Sequence, residues 1–490
     1  MVGKSMKKRL AGLLSVVLAV SAVASMASCG KGEGNSKDTS AVGSVTEEEG
    51  TQSAYSTLEK QQYNQTFTIL CRSELKDDFD IQNYGGSEND LLDDMIYERN
   101  KVVESDYGIT ITCEIPGDYT AVNEKIRSQA TSGLDDYDMV IGHKYTFTGC
   151  AQSNYLLDLA SVDVLNLSDP WWDAGCRENL TVDGKTFLMT GDVLPSSMKI
   201  SACLVFNKKM MKDLGKEEPY DLVKEGGWTL DALLSMTADV TKDKDGDGKI
   251  NYKNDTFGMT AWKMDAPYSM FYGAGGMFVT IDETGTPVLD FDSEKVINIY
   301  DKLYTTLISQ EAYLVTDLND YGTNYDVFAE GRALFCDTTL SKITSFLSSM
   351  SEDYGILPEA KYDQYQQEYL SFVNGASGFV GMVSSEQSVD FAATIMNAMG
   401  AYNYDKVTPN MFEIITKLKG SRDPQSVEMV DIILRSRVYD FAYFFDLSVA
   451  NVVQEQLSGK KPDISSTLTS AIKNSNSSLN KIIKTFNKQS

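Results

Sequence analysis

Thr66-Phe67-Thr68-Ile69-Leu70-Cys71, then Ile109 to Ile115, then Tyr137-Asp138-Met139-Val140-Ile141: these three apolar runs decide the fold. Each reads as a short buried strand. Between them Leu91, Leu92, Met95, Ile96, Val102 and Val103 recur at helical spacing, and residues 121–130 form a second helical stretch. Strand, helix, strand, helix, strand predicts an α/β fold with a parallel sheet and right-handed crossovers. Ligands on such sheets sit beyond the carboxyl ends of the strands. That rule gathers Arg72-Ser73, Pro116 to Tyr119 and Gly142-His143-Lys144-Tyr145, and it makes Arg72, Tyr119, His143 and Tyr145 candidate ligand contacts.

His143 is the only histidine in the chain. It fits either a plain loop residue or a ligand contact. Being alone, it excludes an HExxH zinc site and any multi-histidine metal centre. It also leaves one histidine to serve as base for a Ser or Cys nucleophile.

Upstream, Lys4, Lys7, Lys8 and Arg9 precede an apolar run from Leu10 to Ala24, and Ser25-Met26-Ala27-Ser28 leads into Cys29. This is the layout of a secretory signal over residues 1–28. Its core is shorter than the roughly 20 residues that a spanning helix needs. It resembles a bacterial lipobox, with Met26 where Leu is usual, so Cys29 is the expected site of lipidation. Residues 29–63 are dominated by small and polar residues and read as a flexible, acylated spacer. No later segment is apolar enough to cross a bilayer, which makes the lipid (palmitate among its acyl groups) the expected tether to the outer face of the cell membrane.

Removing residues 1–28 takes away four basic residues and no acidic ones, leaving 40 basic against 70 acidic groups. With a sequence pI near 4.5 there is no footprint for nucleic acid, and none is expected as a partner. The 42% hydrophobic content supports packed cores over two or three domains. Six further cysteines are scattered singly, without metal-finger spacing. Most lie in apolar strand-like runs and are expected to be free, buried thiols.

The order of several loose motifs carries a family resemblance. Tyr137-Asp138-Met139-Val140 is followed by Leu156-Leu157-Asp158-Leu159, Asp169-Pro170-Trp171-Trp172-Asp173, Gly184-Lys185-Thr186-Phe187 and Val205-Phe206-Asn207-Lys208. Trp228-Thr229, Phe257-Gly258, Gly275-Gly276, Phe328 to Phe335 and Tyr354-Gly355-Ile356-Leu357-Pro358 continue the series. In this the chain resembles extracellular solute-binding protein family 1, the lipid-anchored receptors of ATP-driven importers, mostly for sugars. The resemblance implies a two-lobe, periplasmic-binding-protein-like fold with hinge strands and a central cleft between the lobes. It also implies a carbohydrate ligand, an ABC transporter permease as partner, and a monomer.

On this reading residues 64–200 form the N-terminal lobe, with later return segments, and residues 201–490 mainly form the C-terminal lobe, ending in helices. Ile200–Phe206 is the expected first crossing and residues 372–383 an expected return. Trp228 before the N-cap Thr229, with Leu233 beyond, reads as a hydrophobic staple. Trp171 and Trp172 fit either a sugar platform or packing at a lobe edge. Trp262, Tyr268 and Tyr272, beside the glycines 273, 275 and 276, suit a pocket wall or core packing equally. Asp337, at the end of an apolar strand, is either a hydroxyl acceptor or the N-cap of the next helix.

Asp243-Lys244-Asp245-Gly246-Asp247-Gly248-Lys249-Ile250 matches the start of a calcium loop, with carboxylates at positions 1, 3 and 5 and glycine at 6. The candidate ligands are Asp243, Asp245, Asp247, the Lys249 carbonyl and Asp255, because Asn254 stands where a bidentate Glu belongs. A solvated acidic turn is the other reading. No cofactor is required, and a structural Ca2+ is the one ion implied. A binding role needs no nucleophile, so the chain is not expected to be an enzyme. The competing classes are a surface glycan-binding lipoprotein, a glycoside hydrolase working with two carboxylates, and the same receptor fold with a peptide or polyol ligand.

Overall fold

Three parallel strands build the first sheet around a core of Phe67, Ile69, Val140 and Ile141, all fully buried. In the computed structural model, which describes residues 53–79, 91–315, 321–347, 350–411 and 424–488, they are β1 (Gln65–Leu70), β2 (Ile109–Glu114) and β3 (Met139–Gly142). β1 is central, with Gln65 opposite Ile109 on one side and Ile69 opposite Met139 on the other. The crossovers are the helices Leu91–Tyr107 and Tyr119–Ser132. The second begins where Asp118 accepts from Thr120 N and Ala121 N, and it stops at Gly133 in the left-handed region. The alternation read from the sequence is therefore the architecture of this sheet.

The chain then enters a second sheet. Its strands are β4 (Ala202–Asn207), β5 (Phe257–Trp262), β8 (Tyr313–Val315), β9 (Ala333–Thr339) and β10 (Tyr354–Leu357); β6 (Val279–Ile281) and β7 (Pro287–Leu289) form a separate hairpin between them. The order is β10-β4-β9-β5-β8. β4 is antiparallel to both its neighbours, while β5 runs parallel to β9 and β8.

Beyond β10 the chain passes through β11 (Ser371–Phe372) and returns to the first sheet as β12 (Phe379–Gly381), antiparallel to β3. β11 pairs with β13 (Arg437–Val438), and Ser201, just before β4, bridges to Val373, just after β11. Those two chain passages thus lie side by side where the two sheets are connected. From residue 389 the described chain is mainly helical, ending in Ser465–Phe486.

Several expectations change. The signal segment, Cys29 and residues 29–52 lie outside the described residues, but the spacer expected to run to 63 ends earlier. Ser53 Oγ, Ala54 N and Tyr55 N all donate to the Asp405 carboxylate, and Tyr63 N donates to Tyr107 O. A carboxylate at a helix start satisfies free N–H groups. Trp171 and Trp172 are core residues, each 4% exposed, and both indole N–H groups donate to Asn397 Oδ1. The strand expected to end at Asp337 runs on to Thr339, so Thr339, not Asp337, occupies the N-cap position of the helix Leu340–Ser345. The six cysteines from Cys71 to Cys336 are free, and five of them are buried. Among the described residues no helix is long and apolar enough to cross a membrane.

Candidate functional site

Three strand ends converge on one cavity of about 340 Å³. β3 delivers His143, Lys144 and Tyr145; β5 delivers Trp262; β9 delivers Asp337, Thr338 and Thr339. The helix Ala266–Gly273 adds Tyr268 and Ser269, β11 adds Phe372, and the passage from β11 to β12 adds Asn374 and Ala376. The wall therefore draws on both sheets and on the segment joining them.

Aromatic rings supply much of the lining. Tyr268 lies stacked on Phe372 with ring centres 5.9 Å apart, and Tyr443 meets both edge-on, at 5.0 and 4.8 Å. Trp262 packs edge-on against Tyr321 at 4.8 Å. His143 is flanked by Tyr119 and Tyr145, each with its ring centre 5.0 Å away. Rings held in this way are stiff apolar surfaces that order little on binding.

Polar groups are interleaved with the rings. His143 Nδ1 accepts from Tyr145 N, so the imidazole caps its own helix, Lys144–Gln152. Burial, with Arg72 and Lys144 nearby, lowers its pKa to about 3, and the ring is neutral. Lys144 Nζ donates to Tyr443 O at 2.9 Å, and burial lowers its pKa to about 8. Asp265 accepts from Asn374 Nδ2 at 2.8 Å and is raised by burial to about 6. Asp337, 3% exposed, is raised well above the carboxylate range by burial and by its neighbour Glu359.

The profile of the bacterial extracellular solute-binding protein family matches residues 101–420. The chain belongs to this family. No curated protein sequence matches this solute-binding protein. Its fold matches that of an ABC substrate-binding protein from Listeria monocytogenes in complex with cycloalternan, at 15% identity and TM-score 0.54, covering 85% of this chain and 100% of that one. UspC of M. tuberculosis is similar at 14% identity and TM-score 0.54, covering 84% and 100%. A cyclo/maltodextrin-binding protein complexed with maltotetraose follows at 13% and 0.53, covering 86% and 97%. These likenesses establish the two-lobe α/β fold.

Of the ligand contacts expected from the sequence, His143, Tyr145, Trp262, Tyr268 and Asp337 line the cavity of this solute-binding protein. Three do not. Arg72 is 3% exposed and its guanidinium is turned onto the Ala376 carbonyl. Tyr119 stands outside, 39% exposed, with its ring tilted against His143. Tyr272 is a core residue, 1% exposed, stacked on Phe372 at 5.2 Å. The sequence reading passed over Asp265, Lys342, Phe372, Asn374 and Tyr443, which also line the cavity. The aromatic run from Phe441 to Phe445 was the available signal for Tyr443.

Away from the cleft, Asp243, Asp245 and Asp247 each bring a carboxylate oxygen within 4.8 Å of the others. The turn is shaped by Gly246 N and Gly248 N donating to Asp243. Asp255 stands apart from this cluster. It is fully buried, and its carboxylate accepts from Lys244 N and Asn251 N, which closes the neck of the loop.

Proposed function

We propose that this solute-binding protein captures a carbohydrate, an oligosaccharide by the size of the cleft, and hands it to an ABC transporter permease. The observation that carries this reading is the composition of the cavity wall, in which Trp262, Tyr268, Phe372 and Tyr443 alternate with Asp265, Asp337, Asn374 and Lys342. Pyranose rings present apolar C–H faces to aromatic rings and hydroxyls to acceptors, and each buried polar group then finds a partner. The neighbours crystallised with cycloalternan and maltotetraose support the same class of ligand. Closure of the two lobes by hinge motion would bury the sugar, in the manner of periplasmic binding proteins. No step calls for a nucleophile, and the role is binding rather than turnover. Lipid on Cys29 would hold the receptor at the outer face of the membrane, where it works as a monomer. The Asp243–Asp247 turn is proposed to take a structural calcium ion.

Thermal unfolding against a panel of mono- and oligosaccharides tests the reading. A ligand at about 100 times its dissociation constant adds about 2.7 kcal/mol and raises the midpoint by a few degrees. A saccharide that does so and is recovered unchanged supports the receptor. If only peptides or polyols shift the midpoint, the ligand is not a sugar; if a bound oligosaccharide is cleaved, the protein is a hydrolase.

A further inference from the structure

The C-terminal helix turns a cationic face away from the body. Residues 459–490 hold six lysines against one aspartate, in a chain whose formal charge is −26. Leu468, Ala471, Ser475, Leu479, Ile482 and Phe486 of the helix Ser465–Phe486 are buried. Val449 N donates to Ser475 Oγ at 2.9 Å, and the Phe486 ring packs on Phe187 and Phe445. At about 100° per residue these buried positions fall within an arc of about 80°. Lys473, Lys481, Lys484 and Lys488, the last in the turn that follows, share a second arc of about 80°, centred about 160° from the first. All four are exposed, and the other residues of their arc are Ser466, Ser470 and Ser477.

Carboxylates of the body do not take up these lysines. Among the described residues no ion pair joins any of the four, and the helix itself has no acidic residue. The carboxylate at its C-terminal end, Asp183, accepts from Asn487 Nδ2 and Thr286 Oγ1 instead. Elsewhere lysines are matched, Lys101 with Glu104, Lys125 with Glu114 and Lys209 with Asp213. At a charged surface an acidic protein acts through its nearest face, since the Debye length is about 10 Å at 0.1 M salt. Lysines on a stripe about 22 Å long therefore present a local positive field whatever the net charge. The stripe has no large apolar side chain, so it suits a charged surface to lie on, not a bilayer interior to enter. It also lacks the aromatic and aliphatic anchors around which protein interfaces are built.

We propose that this face lies against anionic phospholipid headgroups and gives the tethered receptor one orientation over the membrane. The lipid proposed on Cys29 brings the body near that surface, so the orientation depends on that anchor, while the affinity of the face does not. Residues 30–52 join Cys29 to the described body and span at most about 80 Å. Lysines near an anionic bilayer act together, each tightening binding about fivefold. Confinement by the tether lets weak binding suffice.

Flotation of the unacylated mature chain with lipid vesicles tests the face by itself. Vesicles of phosphatidylglycerol mixed with phosphatidylcholine are compared with phosphatidylcholine alone. The protein should float with the anionic vesicles and not with the neutral ones. Salt at about 1 M, where the Debye length is about 3 Å, should release it. Lys473→Gln, Lys481→Gln and Lys484→Gln together should weaken binding about a hundredfold. Lys101→Gln, Lys125→Gln and Lys209→Gln together make the same change in net charge and should leave binding unchanged. Melting curves establish that each variant is folded. Failure to float with anionic vesicles, equal flotation with neutral ones, or equal loss in both variants overturns the proposal. Capture by inorganic polyphosphate without flotation makes the partner a soluble polyanion and overturns the bilayer. Mass spectrometry of the native N-terminus tests the acyl group separately, so the face and the anchor can fail independently.

Discussion

Lys144 Nζ donates to the backbone carbonyl of Tyr443 while standing over the ring of the same residue. The first residue opens the helix after β3; the second lies 299 positions further on, in the short helix Phe441–Phe444. One buried ammonium thus pins the end of the first sheet to the C-terminal part of the chain at the wall of the cleft. Gly375 makes room for it, because a Cβ there would lie 2.4 Å from Lys144 Cδ.

Lys144→Met should therefore destabilise the protein by about 1–3 kcal/mol, the cost of leaving the Tyr443 carbonyl without its donor. Gly375→Ala should do the same by displacing the lysine stem. Urea midpoints check both, and a midpoint unchanged in both variants would remove Lys144 as the pin.

Trp262 and Trp171 are both tryptophans near strand or turn ends, and they should behave in opposite ways. Trp262→Ala, at the half-buried cleft wall, should lower saccharide affinity about tenfold or more with little loss of stability. Trp171→Ala, in the core, should cost about 3–5 kcal/mol of stability. Paired melting and binding curves separate the two.

Acid should stabilise this protein before it harms it. Burial raises Asp78 to about 6, and Asp192 and Asp440 to about 7, although hydrogen bonds to each pull the other way. Each of these groups has a folded pKa above its unfolded one, near 3.9. Its favourable contribution is complete below the unfolded value and is lost as pH rises through the folded value. The formal charge of −26 also repels itself less as carboxylates protonate. The thermal midpoint should accordingly climb as pH falls from about 8 towards 5; a steady decline over that range would contradict the assignment.

Calcium at millimolar concentration should raise the thermal midpoint of the wild type and leave that of Asp243→Asn unchanged. Weak loops of this type bind with dissociation constants on the order of 10⁻⁴–10⁻³ M. If magnesium or no ion gives the same response in both proteins, the Asp243–Asp247 turn is a solvated one.

At the start of the described body, Asp405→Ala should release the helix Ala54–Thr57, costing about 1 kcal/mol by loss of the carboxylate at its free N–H groups. Amide exchange at Ala54 and Tyr55 should speed up while exchange in β1 stays slow. Unchanged protection would mean that side-chain packing of Tyr55 on Tyr402 holds the segment.

The sequence by itself determined the parallel βαβαβ core, because apolar period and chain order dictate local structure and the hand of its crossovers. It also placed His143, Tyr145 and Asp337 near a site, since each lies at or close to the carboxyl end of a strand, and that end is a local property; Trp262 was flagged by the aromatic and glycine residues that follow it. Depth was not local. Tyr268 and Tyr272 are one turn apart on the same helix and both stack on Phe372 from a distant strand, yet one lines the cavity and the other is core. Arg72 occupied the expected strand end, but the passage before β12 brought the Ala376 carbonyl to its guanidinium and turned it away from the cavity. Tyr443, Asn374 and Lys342 reached the cavity only through pairings across one to three hundred residues, which the side-by-side passages at Ser201 and Val373 and the strands β11 and β13 bring about. Long-range closure of this kind depends on which faces pack, and no periodicity in a single segment encodes it.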